Sequence, residues 1–91
     1  MSSFAQYTVP LFFGLNEIDI PSGSTLVAIH IIQNDIEAEF KGPQTGSLEH
    51  KLFYVALGNE QIPAYLGVFR HLKSLFLQDK AYTAEVFEIF T

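Results

Sequence analysis

The chain has 91 residues, a formal net charge of −5, no cysteine, and an apolar composition (48% hydrophobic against 16% charged). That length is one domain, residues 1–91, and the missing cysteine excludes disulfide support and thiol chemistry. All of the net charge arises in residues 1–40, which hold five acids and no Lys or Arg. Residues 41–91 balance five acids with five bases, so no basic patch is available to bind nucleic acid directly.

Thirteen Phe and Tyr side chains are many to hide in one small core. A second subunit is the expected remedy, so the chain is expected to form a homo-oligomer. The opening Met1-Ser2-Ser3-Phe4 has no basic n-region, and no apolar run reaches membrane-spanning length. A cytosolic protein without a membrane segment is the expectation.

In chain order, residues 4–13 read as a strand with Tyr7, Val9, Leu11 and Phe13 on one face. Pro10 cannot donate to a ladder, so this is an edge strand or one broken at that position. Gly14-Leu15-Asn16 is expected to turn the chain, Glu17–Ile20 to form a short strand with one wet face, and Pro21-Ser22-Gly23 to make a tight turn. The strongest local signal follows in Thr25–Lys41, a β-branched run, an Asn-Asp pair and an alternating return strand. With Asn34-Asp35 as the loop, Gln33 faces Ile36, Ile31 faces Ala38, and Ile29 faces Phe40. Val27, Ile29, Ile31, Ile36, Ala38 and Phe40 then share the core face. His30 lies opposite Glu39 on the other face, and Ile32 opposite Glu37.

Residues 42–47 read as a loop. Glu49–Leu57 is apolar on both faces from Leu52 onward and reads as a central strand. Gly58–Pro63 breaks the regularity. Residues 65–76 are read as mainly strand, with a short helical turn as the alternative. Gln78-Asp79-Lys80 reads as a hairpin turn and Tyr82–Phe90 as a last strand. The fold class expected is mainly β, a small antiparallel sheet or β-sandwich of about six to seven short strands.

Chemistry is sparse. His30, His50 and His71 lie far apart in sequence, with no close ligand pair of the kind a zinc site shows, so no metal or other cofactor is expected. No Gly-x-Ser-x-Gly elbow and no phosphate loop occur. The acid pairs Glu17/Asp19 and Glu37/Glu39 line wet strand faces as readily as any acid–base site. No catalytic residue is named and no enzymatic activity is expected. Two surfaces stand out instead. Gly58, Asn59, Tyr65 and Arg70 form a candidate small-ligand site, where aromatics stack a ring and bases hold phosphates. His30, Glu37 and Glu39 form a candidate partner surface in the half without positive charge.

Several segments in succession carry a resemblance. Tyr7-Thr8-Val9-Pro10, Ile20-Pro21-Ser22-Gly23-Ser24, Leu57-Gly58-Asn59-Glu60, Tyr65-Leu66-Gly67-Val68-Phe69 and Glu85-Val86-Phe87-Glu88 resemble, in order and spacing, a family of small phage-encoded β proteins of unknown function. The family's Gly-Thr-Gly-His is Gly58-Asn59-Glu60 here and its closing His is Glu85, so no histidine role carries over. The resemblance implies a phage origin, a small β fold and no assigned activity. The resulting expectation is a non-enzymatic, homo-oligomeric binding protein of the host cytosol. It would antagonise a host defence system by sequestering a nucleotide signal or by blocking a defence protein. The alternative is a virion structural or assembly accessory protein.

Overall fold

The computed structural model describes residues 4–77 and 82–90. Seven strands form two antiparallel sheets packed face to face. They are β1 (Phe4–Leu11), β2 (Gly14–Pro21), β3 (Thr25–Ile32), β4 (Asp35–Pro43), β5 (Leu48–Leu57), β6 (Val68–Leu77) and β7 (Tyr82–Phe90). One sheet has the order β1-β4-β3 and the other β2-β5-β7-β6. A single 3-10 turn, Ala64–Leu66, precedes β6, so both readings of residues 65–76 hold over different parts of that stretch. The expected turn at Gln78-Asp79-Lys80 lies outside the described residues. No helix among the described residues is long and apolar enough to cross a membrane.

Strand order follows from sequence pattern. Strand β1 carries Pro10 and lies at a sheet edge, where a missing N–H costs no ladder bond. Strand β5 is apolar on both faces and is central, with Phe53, Tyr54, Val55 and Ala56 all buried. Phe53 and Val55 point between the sheets with Ala84, Val86, Leu75 and Leu77. They meet Leu11, Ile29, Ile36, Ala38 and Phe40 from the other sheet. Tyr54 and Ala56 point away and build a second small core with Leu66 and Ile89. The segment between β5 and β6 therefore lies over the outer face of the four-stranded sheet.

Two sequence expectations about turns are corrected. The chain reverses at Phe12–Phe13, and Gly14 opens β2 rather than turning the chain. Asn16 decides this. Buried within β2, its side-chain oxygen accepts from the Phe12 N–H (2.9 Å), and its amide donates to the Phe12 and Gly14 carbonyls (2.8 and 3.1 Å). One side chain thus satisfies backbone groups that the reversal leaves without ladder partners.

The second correction concerns the β3–β4 hairpin. Its loop is Gln33-Asn34, not Asn34-Asp35, and both loop residues have positive φ (52° and 70°). Two-residue hairpin turns of this hand need left-handed backbone at both central positions, and Asn tolerates it well. Ile32 therefore pairs with Asp35, Ile31 with Ile36, His30 with Glu37 and Ile29 with Ala38. The slide moves each residue to a partner two positions along, which keeps every side chain on its own face. Hydrophobic alternation therefore could not distinguish the two registers. A bulge at Val27 adds a further departure. It turns Val27 outward, where it is exposed, and lets Leu26 pack on the core in its place. Strand β4 also runs on to Pro43, two residues into the expected loop.

Candidate functional site

The four residues expected to form a ligand site are split by the topology. Gly58 follows directly on β5 at the end where Leu57 pairs with Ala84, and its N–H donates to the Thr83 carbonyl (2.7 Å). Asn59 is beside it, exposed. Arg70 lies near the start of β6, where Val68 pairs with Phe90 at the other end of the sheet. At about 3.3 Å per residue, the six positions from Ala84 to Phe90 separate these ends by roughly 20 Å. Tyr65, in the 3-10 turn over the outer face, is 85% exposed. Arg70 instead faces the gap between the sheets.

That gap opens at the Arg70 end into a cleft of about 320 Å³. Phe40 and Phe53 form its floor, with ring centroids 5.9 Å apart, and Ser24, Thr25 and Leu26 line the side of the three-stranded sheet. Lys51 and Arg70 stand over it on either side of Glu88, at 3.6 and 3.3 Å, and Lys51 also reaches Glu49 at 3.7 Å. The Arg70 guanidinium lies 5.6 Å from the centre of the Phe90 ring. Two cations beside a buried aromatic floor suit a flat ring bearing an anionic group. The two acids already offset their charge.

The partner surface is brought together in part. His30 and Glu37 face each other at 3.7 Å, whereas Glu39 lies opposite Ala28 and accepts from Gln6 (3.1 Å). All three lie on the outer face of the three-stranded sheet, flanked by exposed Val27 and Ile32. That face is open to solvent, unlike its counterpart on the four-stranded sheet.

Three further groupings were not legible in the sequence. Glu60 closes the irregular segment onto β5, accepting from the Tyr54 hydroxyl (2.9 Å) and the Leu57 N–H (3.0 Å). The Leu57 N–H and then the Tyr54 hydroxyl hold its carboxyl below the ordinary range, and the same carboxylate pushes the Tyr54 phenol up. His50 lies between Asp19 (2.8 Å) and Glu17 (3.2 Å), and hydrogen bonds to these two raise its pKa. The sequence shows the two acids only as one wet face of a strand, and the pairing of β2 with β5 supplies the histidine.

The third grouping is Ser74, His71 and Glu85 on the outer edge of the four-stranded sheet. It has the composition of a hydrolase triad but not the connectivity. The Ser74 hydroxyl donates to Glu85 Oε1 in a short hydrogen bond, and His71 Nε2 meets the same oxygen at 2.8 Å. A triad needs one ring nitrogen to take the serine proton while the other is held by the acid. Here a single nitrogen faces both, and the Ser74 hydrogen bond is the first cause of a lowered Glu85 pKa. Among the described residues, no group of three or more His, Cys, Asp or Glu is arranged to hold a metal ion.

Strand β6 is a free sheet edge of ten residues. Val68, Phe69 and Phe76 are 69, 47 and 60% exposed along it. Comparison with known proteins found no match to any family model, curated protein or solved structure.

Proposed function

We propose that the protein is a non-enzymatic binding protein that works as a homo-oligomer and acts by covering a macromolecular partner. The observation that supports this most is the position of its exposed apolar side chains. Phe4, Phe12, Val27, Ile32, Phe69, Phe76 and Phe90 lie at sheet edges, strand ends, turns and one open sheet face. Exposed apolar surface on this scale marks interaction sites. The acidic face around Glu37 and Glu39 suits a basic protein, and the phage resemblance makes a host defence protein the candidate. Pull-down from host lysate, with mass spectrometry of what is retained, tests the reading. Glu37→Lys together with Glu39→Lys is expected to lose the retained protein at an unchanged thermal midpoint. Equal retention by the double variant removes this face from the proposal.

The cleft favours a second reading, sequestration of a small nucleotide. Lys51 and Arg70 would hold the phosphate and the Phe40/Phe53 floor would meet the base. A nucleotide that binds there raises the melting temperature, and Arg70→Ala abolishes the rise. No rise across a nucleotide panel removes this reading. The virion-assembly alternative requires the protein in purified particles.

A further inference from the structure

Of the four sheet edges, three carry a feature that discourages another strand. Strand β1 has Pro10, which offers no donor. On strand β3 the Ile29 carbonyl is taken by the Lys73 ammonium (2.8 Å). Strand β2 ends in Pro21 and presents Glu17 and Asp19. Strand β6 has neither a proline nor an acid over its ten residues. Its bases already have partners in the same chain. Arg70 pairs with Glu88, His71 with Glu85, and Lys73 with the Ile29 carbonyl. Arg70 and His71 thus each meet a carboxylate, and the Lys73 ammonium is directed to the other sheet rather than to the free edge.

The order of residues along β6 is self-complementary. Phe69, His71, Ser74 and Phe76 pair with Ile89, Phe87, Glu85 and Thr83, alternate residues of β7, so all four share the outer face. The bulge at Leu72 is what keeps His71 and Ser74 on the same side. These four positions are symmetric about the middle of the strand. A two-fold axis there sets Phe69 opposite Phe76 of the other copy and His71 opposite Ser74. Phe69 already packs edge-on against Phe87, with centroids 5.5 Å apart, so Phe76 of the second copy would extend an aromatic row.

We propose that β6 is the dimer contact, pairing antiparallel with β6 of a second copy to join two four-stranded sheets into one of eight. Open sheets reach about ten strands, so the joined sheet is of ordinary size. Main-chain hydrogen bonds supply the attachment and the Phe69–Phe76 contacts fix the register.

This rests on the homo-oligomeric reading above, and the experiment separates the two. Light scattering on the purified chain is expected to give a dimer mass; a monomer overturns both. Phe69→Lys with Phe76→Lys is expected to give a monomer with the parent circular dichroism. A dimer that survives the double substitution overturns the β6 contact and leaves oligomerisation to another surface. Should that variant fail to fold, cysteine pairing decides, because the chain has no cysteine of its own. A mixture of Phe69→Cys and Phe76→Cys proteins, oxidised together, is expected to form the mixed disulfide well above its statistical share. A statistical mixture, or no crosslink, overturns the register.

Discussion

The outer faces of the two sheets begin from the same strand geometry and end differently. On the three-stranded sheet the outward residues of β4 are Asp35, Glu37, Glu39 and Lys41, all charged, and nothing among the described residues lies over them. On the four-stranded sheet the outward residues of β5 include Tyr54 and Ala56, and the chain after β5 folds back to bury them under Leu66. One alternating strand needs a single partner layer. A strand apolar on both faces needs two, and a 91-residue chain supplies the second from an irregular segment rather than from another sheet.

The sharpest way to break this contrast is through the shared core. Phe53→Ala removes a ring that is 1% exposed and packs on Phe40. It is expected to cost about 3–5 kcal/mol, a large part of the stability of so small a domain. Denaturant unfolding followed by circular dichroism measures it; a loss near zero would mean the two sheets do not pack through these rings. Leu66→Ala acts only on the second core. One of its sides is solvent rather than a sheet, which puts it at the low end of the range for such truncations, about 2 kcal/mol. Amide exchange should then rise in the Tyr54 and Ala56 region while the Val55 and Val86 side stays protected. On the bare face of the other sheet, Glu39→Ala removes only an exposed hydrogen bond from Gln6 and is expected to stay within about 0.5 kcal/mol. A Glu39→Ala cost equal to that of Leu66→Ala would remove the distinction between the two faces.

The same contrast explains what could be read from the chain in advance. Tyr54, Val55 and Ala56 in succession announce a strand buried on both sides, and Pro10 announces an edge. Both are local properties, and both hold in the structure. The β3–β4 register depends instead on which two residues take positive φ, and Gln33 gives no sign of doing so. Sliding the partner by two positions leaves Ile29, Ile31, Ile36, Ala38 and Phe40 facing the core, so the alternation is silent. Pairings between distant strands were hidden for a different reason. Nothing local to Glu17, Asp19 or His50, or to Lys51, Arg70 and Glu88, indicates that the four-stranded sheet brings them side by side. The expected ligand site failed to gather for the same cause. Gly58 and Arg70 are twelve positions apart in sequence, but the segment between them crosses the sheet from one end to the other.

The smallest effect concerns His50, at the acidic edge of the covered sheet. Asp19 first and Glu17 second raise its pKa in the folded chain above the ordinary value of 6.5. Folding therefore favours its protonated form. The stability this adds is fully present below the ordinary histidine value and is lost as pH rises through the folded one. Asp19→Asn removes the largest cause and leaves Glu17. The His50 midpoint, followed by NMR, is expected to move down toward the ordinary value. The dependence of the thermal midpoint on pH across the neutral range is expected to flatten slightly. Glu17→Gln should shift the midpoint in the same direction by less. The ring is exposed, so the gain in stability is small and screened by salt, and the titration is the more sensitive measurement. A His50 midpoint that ignores both substitutions would mean that the β2–β5 pairing does not place the imidazole between the two carboxylates.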